Sequence, residues 1–477
     1  MKLSFPLRIY LAALILRLIP ILLTRGLGIG LDDMFQYDML ARSIASGNGY
    51  RWYAQKDLKL LEPYVKFDLS TAKGYDPRYG LYTSFRAPLY PTFLAIVYFI
   101  NGTDFSRFFA ARLAQVILLG APLAPLTYYA AIHLFPEQDK EARSAKIAGW
   151  LVAAYPMLLV YPLGLGTENP FFLFLLSSFL FILKSIEKPT NWNLVISGVL
   201  LALTSLTRSV ILPFAGLAII YLIYILGKKA LLVPIIFFLI LTPWIIRNSL
   251  LHHKLTNIET SMGYNLYLGY HPKGNGSFVF GPSLDLLTIM DDSERDEIGT
   301  QKAIQFIQAQ PERIFPLAIN RLGFFFGLEK RVLMYFYSND LIGYVPRGLL
   351  LTASAILLLP FVIISILAAL SLPALHWNER TVLLAILFGA YLLPHVFILA
   401  EDRFHLALVP LIATLAVQGW TFHSNRQAQT TINKTALILS FIIIFLLLLN
   451  WGLELHRDAD KIAVLLGPNG NKSFFPY

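Results

Sequence analysis

Long apolar blocks, repeated along the whole chain, are the feature that most restricts its fold. Most of them reach the roughly 18 to 25 residues that a helix needs to cross a hydrocarbon core of about 30 Å. Only 14% of the residues are charged, against about 25% in a typical soluble domain. The sequence therefore predicts an all-α polytopic membrane protein with about eleven transmembrane helices. The blocks fall near residues 7–24, 107–135, 146–165, 169–186, 193–207, 209–226, 230–247, 348–370, 381–399, 404–420 and 435–451.

Basic residues in the short loops predict how these helices are oriented. They recur after every second span, at Lys140, Arg143 and Lys146, at Lys184 and Lys188, and at Lys228 and Lys229. The positive-inside rule places these loops in the cytoplasm. The N-terminus is then cytoplasmic, and the loop 25–106, the junctions at Glu168 and Arg208 and the segment 248–346 lie on the outer face of the plasma membrane. This orientation depends on the number of crossings before Glu168, and one more crossing would move Glu168 to the cytoplasmic side. The apolar run 88–100 must therefore not cross, and we expect an interfacial or re-entrant helix there.

The charge balance and the missing cysteines limit the partners and cofactors. A formal net charge of +10 would favour nucleic acid as the partner of a soluble protein. Here the basic residues lie between apolar blocks, so membrane lipids or a phosphorylated substrate account for them better, and we expect no nucleic acid. The chain has no Cys, which excludes disulfides, zinc–thiolate sites and a cysteine nucleophile. No metal or cofactor is indicated, although a divalent metal stays open.

Two adjacent carboxylates, Asp32 and Asp33, lie a short way beyond the first apolar block, where the chain leaves the membrane. They precede a helix expected over residues 34–46, in which Asp38 and Arg42 pair on the face opposite the apolar residues. One carboxylate can serve as the helix cap. A second beside it at a lipid interface is costly unless it has a partner or a task. This favours a functional role for the pair.

Short motifs follow in order along the chain, at the ends of the apolar blocks and in the loops between them. They are Asp33 with Tyr37 and Leu40-Ala41-Arg42, Gly47-Asn48-Gly49-Tyr50, Arg86-Ala87-Pro88-Leu89-Tyr90-Pro91, Thr167-Glu168-Asn169-Pro170, Leu206-Thr207-Arg208, Pro243-Trp244-Ile245-Ile246-Arg247-Asn248, Gly263-Tyr264-Asn265-Leu266-Tyr267-Leu268-Gly269, and Arg403-Phe404-His405 with Pro410. Together they resemble the polyprenyl-phosphate-dependent glycosyltransferases of the GT-C fold. These include bacterial relatives of protein O-mannosyltransferases (glycosyltransferase family 39) and the aminoarabinose transferase of lipid A.

The resemblance implies roles for particular residues. The family's catalytic carboxylate lies four positions before the Tyr and corresponds to Asp33. Relatives often have Glu directly after it, where this chain has Met34, so any role of that Glu is lost or has passed to Asp32. Arg86 matches a position near the donor's lipid phosphate, and Glu168 matches an acidic residue of the second outer loop.

The chemistry of such a transfer agrees with these positions. It needs a base for the acceptor hydroxyl and cations for the departing phosphate. Asp33 suits the first role, and Arg86, Arg208 and Arg403 suit the second. Further substrate contacts are expected from Tyr37, Tyr264, Asn265 and His405.

Structural roles compete with each of these functional roles. Glu168 can simply complement the dipole of the helix that it begins. Arg208, at the end of an apolar block, can extend to lipid headgroups, and the charged turn around Arg403 can do the same. Tyr264 and Asn265 can order a Gly-rich loop.

The sequence thus predicts an inverting glycosyltransferase that moves a sugar from a polyprenyl-phosphate carrier to a lipid, glycan or protein hydroxyl on the outer face. A secondary transporter or a lipid-carrier flippase of envelope assembly is the alternative. A transporter would place polar residues at mid-span on broken helices, whereas the ionisable residues here gather at the ends of the blocks.

Three regions are expected along the chain. Residues 1–250 form a GT-C transmembrane core that includes the catalytic loop 25–106. Residues 251–346 form an outer-face segment with an amphipathic stretch at 299–330, whose basic residues, continuing to Arg331, suit the lipid headgroups. Residues 347–477 contain C-terminal transmembrane helices and a short outer tail.

Overall fold

The computed structural model describes residues 3–67, 69, 72–136, 142–424 and 433–475. The helices of its first half are α1 (Phe5–Leu23), α2 (Asp33–Ala45), α3 (Gln55–Leu61), α4 (Leu89–Asn101), α5 (Arg107–Gln115), α6 (Leu123–Leu134), α7 (Arg143–Ala153), α8 (Pro156–Val160), α9 (Glu168–Glu187), α10 (Asn191–Thr207), α11 (Leu212–Leu226) and α12 (Leu232–His252). Those of the second half are α13 (Met262–Tyr270), α14 (Phe280–Asp285), α15 (Asp292–Ala309), α16 (Ile314–Phe325), α17 (Arg347–Ala369), α18 (Glu379–Phe397), α19 (Val409–Ser424), α20 (Lys434–Arg457) and α21 (Ala459–Leu465). Two short strands, β1 (Arg51–Trp52) and β2 (Leu81–Tyr82), pair antiparallel within the first loop.

Within the described residues, 8 helical runs are long and apolar enough to cross a membrane, or 9 if the bent pair of α7 and α8 is one span. One of the runs, Ser209–His252, has 44 residues and contains both α11 and α12. The Ser209 amide donates to Glu259 at 3.1 Å, and Trp244 near the other end donates to the Ile258 carbonyl at 2.9 Å. Because a straight helix of this length would measure about 66 Å, the run must turn back on itself.

The all-α polytopic fold predicted from the apolar blocks is therefore confirmed. The expected number of eleven spans stays a prediction. It requires the bent pair of α7 and α8 to be one span, α11 and α12 to count separately, and the shorter apolar helix Asn191–Thr207 to cross.

The bend between α7 and α8 has an identifiable cause. The two helices meet at 52°. Pro156 has no N–H, so the carbonyl of Val152 loses its helical hydrogen bond. The buried Arg17 of α1 replaces it, donating to the carbonyls of Val152 and Ala153 at 3.0 Å each. The guanidinium group of Arg17 thus binds the carbonyl that Pro156 leaves unpaired and the carbonyl of the last residue of α7.

The helix after the first span forms where the sequence predicts it, as Asp33–Ala45. Asp38 and Arg42 form the expected ion pair at 2.8 Å. This face of α2 is covered by other helices, because the Asp38 side chain is only 1% exposed and also contacts Arg107 at 2.7 Å and the Tyr98 hydroxyl at 3.0 Å. Asp38 therefore ties α2 to α4 and α5.

The apolar run 88–100 forms α4 and packs against α2. Asp33 and Glu168 meet at one end of the helices, since Arg403 lies 3.8 Å from the first and 3.4 Å from the second. If α4 added a crossing between them, they would lie at opposite ends. With α7 and α8 counted as one span, this arrangement agrees with the absence of a crossing at 88–100, which stays a prediction. Which end faces outward stays a prediction, and Lys140 lies outside the described residues.

The segment 251–346 contains four helices, α13 to α16, in place of a loop with one amphipathic helix. Its acidic residues bind backbone groups: Asp291 caps α15 by accepting from the Ser293 amide at 2.9 Å. Asp292 accepts from the Ser84 amide at 2.9 Å and so fixes the end of the first loop. The segment thus holds the stretch that carries Arg86. The three expected regions stay predictions.

Candidate active site

A cavity of about 2020 Å³ lies at the end of the helices where Asp33 and Glu168 meet. Its walls come from the first loop, the start of α9, the junction of α10 and α11, the segment after α12, the stretch before α17 and the turn between α18 and α19. Drug-sized ligands occupy pockets of roughly 300–1,000 Å³. This cavity has room for a larger ligand.

Asp33 lies at the first position of α2, and its side chain is 45% exposed towards the cavity. It forms an ion pair with Arg86, and Arg403 lies 3.8 Å from its other oxygen. Burial raises the pKa of the Asp33 carboxyl, but the positive charges of Arg86, Arg403 and Arg331 outweigh burial and leave that pKa below its ordinary value. Asp33 is therefore a carboxylate at neutral pH.

Asp32 caps the N-terminus of α2, the structural role that was expected of one of the two carboxylates. Its side chain accepts from the Met34 amide at 2.8 Å and caps α2. Burial, and then the negative charge of Asp33, raise the pKa of the Asp32 carboxyl. The two neighbours thus differ: Asp32 holds the helix, and Asp33 faces the arginines.

Arg86 is held in place on both its side chain and its backbone. Its Nε donates to the Gln36 side chain at 2.8 Å, and its carbonyl accepts from the Tyr50 hydroxyl at 2.9 Å. Two residues earlier, the Ser84 hydroxyl lies 2.7 Å from His252 of α12. Arg86 is therefore presented to Asp33 by a fixed stretch of chain.

Glu168 begins α9 and lies 3.0 Å from Arg208 and 3.4 Å from Arg403. Its side chain folds back over Gly166, where a Cβ atom would approach the carboxylate to 2.6 Å. Interaction with the helix dipole is compatible with this position. The two arginines show that Glu168 also belongs to the charged group around Asp33.

Glu401 joins two arginines that lie far apart in the sequence. It lies 3.0 Å from Arg331 and 2.9 Å from Arg403. All three line the cavity. Sequence reasoning missed Arg331, which it assigned to lipid headgroups at the end of an amphipathic stretch. No local motif marks Arg331, because its partner Glu401 is 70 residues away.

Three further predicted residues also line the cavity, namely Tyr37, Tyr264 and Asn265. The Tyr37 hydroxyl hydrogen-bonds with the Thr167 side chain, and burial raises the pKa of Tyr37 to about 12. The Tyr264 hydroxyl donates to the Ser283 carbonyl at 3.1 Å. Both tyrosines are thus neutral groups with fixed orientations at neutral pH.

His405 does not fit the predicted substrate contact. Its side chain is fully buried, and it is not among the residues that line the cavity. It stacks on Phe361 with ring centroids 3.9 Å apart and contacts Glu329 at 3.1 Å. Its neighbour Arg403 faces the cavity, because residues two apart in this short helical turn point in different directions.

The cavity thus brings together Asp33, Arg86, Glu168, Arg208 and Arg403, as their motifs predicted, although their roles stay predictions. Each of these arginines is paired with a carboxylate side chain. Phosphate oxygens can take the place of such carboxylates, because guanidinium groups bind both with similar geometry. The arrangement is suited to hold a phosphate beside a carboxylate that can accept a proton.

No protein-family model matches this chain, and no curated protein matches its sequence. Among solved structures it is similar to the oligosaccharyltransferase of Archaeoglobus fulgidus in the apo form, with 15% identity and a TM-score of 0.49. It is also similar to the oligosaccharyltransferase AglB of the same organism in complex with an inhibitory peptide and a dolichol-phosphate, with 13% identity and a TM-score of 0.47. Each alignment covers 99% of this chain but 60% of the archaeal chain.

A third similar structure is ArnT from Cupriavidus metallidurans bound to undecaprenyl phosphate. The identity is 14% and the TM-score 0.40, and the alignment covers 87% of this chain and 76% of the other. At TM-scores below 0.5 the three likenesses carry no argument of their own. The resemblance to the GT-C family therefore rests on the sequence motifs alone.

Proposed function

We propose that this protein is an inverting glycosyltransferase that takes a sugar from a polyprenyl-phosphate carrier and transfers it to a hydroxyl of a lipid, glycan or protein. The observation that carries the proposal is the position of Asp33, an ionised carboxylate that faces a cavity between the arginines Arg86, Arg403 and Arg331. Sugar transfer from a lipid phosphate needs both a base for the acceptor hydroxyl and cations for the departing phosphate, and the cavity holds both kinds of group.

In the proposed reaction, Asp33 accepts the proton of the acceptor hydroxyl as its oxygen attacks the anomeric carbon. The bond between that carbon and the phosphate oxygen breaks, and its electron pair leaves with the lipid phosphate. Arg86, Arg403 and Arg331 stabilise the charge that develops there. One direct displacement inverts the anomeric configuration, and no covalent intermediate is required.

Binding of the donor would also prepare the base. The positive charges of the arginines lower the pKa of Asp33. A bound phosphate contributes negative charge and shares the same guanidinium groups, which raises the proton affinity of the carboxylate. Asp33 therefore becomes a stronger base when the donor is in place.

The remaining cavity walls suit a lipid-linked substrate. Leu61, Val65 and Leu284 contribute apolar surface to the lining, which can accommodate the first units of a polyprenyl chain. We propose that the cavity opens on the outer face of the plasma membrane, as the basic loops indicate. The arginines supply the positive charge of the reaction, so the proposal involves no resident cofactor.

A lipid-carrier flippase shares the need for arginines and an apolar wall but needs no base. A secondary transporter is less compatible, because the charged group lies at one end of the helices rather than at mid-span. Sugar transfer is the proposal that uses both the carboxylate and the arginines.

Lipid-linked sugars test this function directly. Lipids extracted from cells with and without the protein should differ in one polyprenyl-phosphate sugar, which accumulates when the protein is absent and falls when it is restored. If the pool of every polyprenyl-linked sugar is the same in both extracts, the proposal is wrong.

A further inference from the structure

Two segments that carry cavity arginines are joined behind the cavity by a buried pair, Glu329 and His405. Glu329 lies two residues before Arg331, and His405 lies two residues after Arg403. The side chains of the pair are 1% and 0% exposed, and the nearest atoms, Oε1 of Glu329 and Nε2 of His405, are 3.1 Å apart. The pair therefore lies behind the arginines and outside the substrate space.

The hydrogen bonds of this pair fix the orientation of the imidazole. Nδ1 of His405 lies 2.7 Å from the Phe325 carbonyl, which can only accept, so Nδ1 carries a proton. The contact between Nε2 and the Glu329 carboxylate then requires a second proton between them. Stacking on Phe361, with an interplanar angle of 16°, holds the ring from the side.

Glu329 is in turn oriented by a second donor and by its burial. The Tyr155 hydroxyl donates to Oε1 at 2.7 Å. The other oxygen, Oε2, has no hydrogen-bond partner in the described part of the chain. Burial raises the pKa of the Glu329 carboxyl, and His405 opposes this to a smaller extent. A lone carboxylate in this position would be costly, so the glutamate and the histidine depend on each other.

We infer that Glu329 and His405 are positioning residues that set the distance between Arg331 and Arg403 at the donor phosphate. This inference rests on the proposed function. On the cavity side Glu401 contacts both arginines, at 3.0 and 2.9 Å. When a phosphate competes with Glu401 for these guanidinium groups, the buried pair still holds the two segments together. The arginines then meet the ligand as a fixed pair, which lowers the entropic cost of binding.

The substitution Glu329→Gln tests this inference because it keeps the shape of the side chain and removes its charge. The purified full-length protein in detergent is titrated with farnesyl phosphate and, separately, with farnesol, which has the same chain and no phosphate. We expect the variant to bind farnesyl phosphate about 3- to 30-fold more weakly and to bind farnesol as the wild type does. His405→Asn should have the same selective effect.

A control and a double substitution separate positioning from general damage. His423→Asn removes another histidine of the same helical run, whose ring contacts the Leu370 carbonyl at 3.1 Å, and it should leave both affinities unchanged. In the background of Arg403→Gln, Glu329→Gln should have a smaller effect than in the wild type, because both changes act on one contact. Tyr155→Phe removes one hydroxyl only and should weaken phosphate binding to a smaller extent if Glu329→Gln does not fold.

The outcomes distinguish this inference from the proposed function. Equal binding of farnesyl phosphate and farnesol by the wild type would contradict the proposed function and the inference together. A wild type that prefers farnesyl phosphate, with Glu329→Gln and Tyr155→Phe unchanged in that preference, would overturn the inference alone. Weaker binding of both ligands by the variants would also overturn it, because it would indicate a general structural role.

Discussion

Two pairs of buried arginines in this protein contact different kinds of partner. Arg17 and Arg112 are fully buried, and Arg86 and Arg403 are largely buried. Arg17 and Arg112 donate to backbone carbonyls, such as that of Leu163 at 2.8 Å from Arg112. Arg86 and Arg403 face carboxylate side chains at the cavity. Burial of an arginine is therefore not by itself a sign of function, and the partner of its guanidinium group is more informative.

The difference follows from what each partner can do. A backbone carbonyl belongs to a fixed helix end and stays where it is, so the arginine that binds it completes the structure. A carboxylate side chain can rotate away, gain a proton or give up its place to a phosphate. We call the first group the carbonyl-bound arginines, Arg17 and Arg112, and the second the cavity arginines, Arg86, Arg208, Arg331 and Arg403.

The strongest test of the role of the cavity removes the charge of Asp33. Asp33→Asn should lower turnover by about 10²- to 10⁴-fold, the usual contribution of a general base. Binding of the donor should be unchanged or slightly tighter, because a negative charge near the phosphate is gone. Turnover is measured with lipid extract as donor source, and affinity with farnesyl phosphate.

Asp57→Asn is the matched control for this variant. Asp57 is also paired with an arginine, Arg42, at 2.8 Å, but it does not line the cavity. Turnover per folded molecule should stay at the wild-type level. If Asp33→Asn retained full turnover, the cavity would be a binding site without a base, as the flippase alternative requires.

The second test compares the two groups of arginines directly. Arg403→Gln should weaken binding of farnesyl phosphate about 10- to 100-fold, because a hydrogen bond to a charged group contributes about 1.5–3 kcal/mol. Arg112→Gln should act mainly on stability, because each carbonyl left unpaired inside the protein costs about 1–3 kcal/mol. Affinity and the apparent Tm are measured on both variants. A larger loss of affinity for Arg112→Gln than for Arg403→Gln would remove the distinction between the groups.

The third and smallest effect concerns pH. In the proposed reaction the carboxylate form of Asp33 is the active one, so we expect activity above the pKa of Asp33 and a loss of activity as the pH falls through it. Since the cavity arginines hold that pKa below the ordinary value, kcat/KM of the wild type should stay level through the mildly acidic range. Arg86→Gln removes the positive charge with the largest effect on Asp33, so the acid limb should move to higher pH. An acid limb at the same pH in both enzymes would show that another group controls it.

Local motifs predicted the part of the site that lies at the ends of the apolar blocks. The resemblance to the GT-C family pointed to Asp33, by its spacing from Tyr37, and to Arg86 and Glu168, and the chemistry of the implied reaction added Arg403. These residues could be predicted together for one physical reason. Each lies where a helix ends at the membrane surface, so their polar side chains lie at the same depth relative to the membrane.

The rest of the site depends on contacts that a local pattern does not contain. Arg331 joins the cavity through Glu401, and the side chain of His405 points into the core although Arg403 beside it faces the ligand space. The burial of Asp38 likewise results from Tyr98 and Arg107, which belong to later helices. The spacing of residues in the sequence predicts which side chains share a face of a helix. It does not predict which other helices pack against that face, and those contacts decide whether a side chain is buried.

The contact between Arg17 and the bend after α7 also matters during biosynthesis. The Val152 carbonyl, which Arg17 binds, is 135 residues further along the chain. At about 5–20 residues per second, its synthesis takes roughly 7 to 27 s after Arg17 has left the ribosome's active centre. During that time α1 holds a charge that costs up to about 2.5–3.5 kcal/mol in a lipid environment. We therefore expect the first helix to reach its full stability in the bilayer only after α7 and α8 have been inserted.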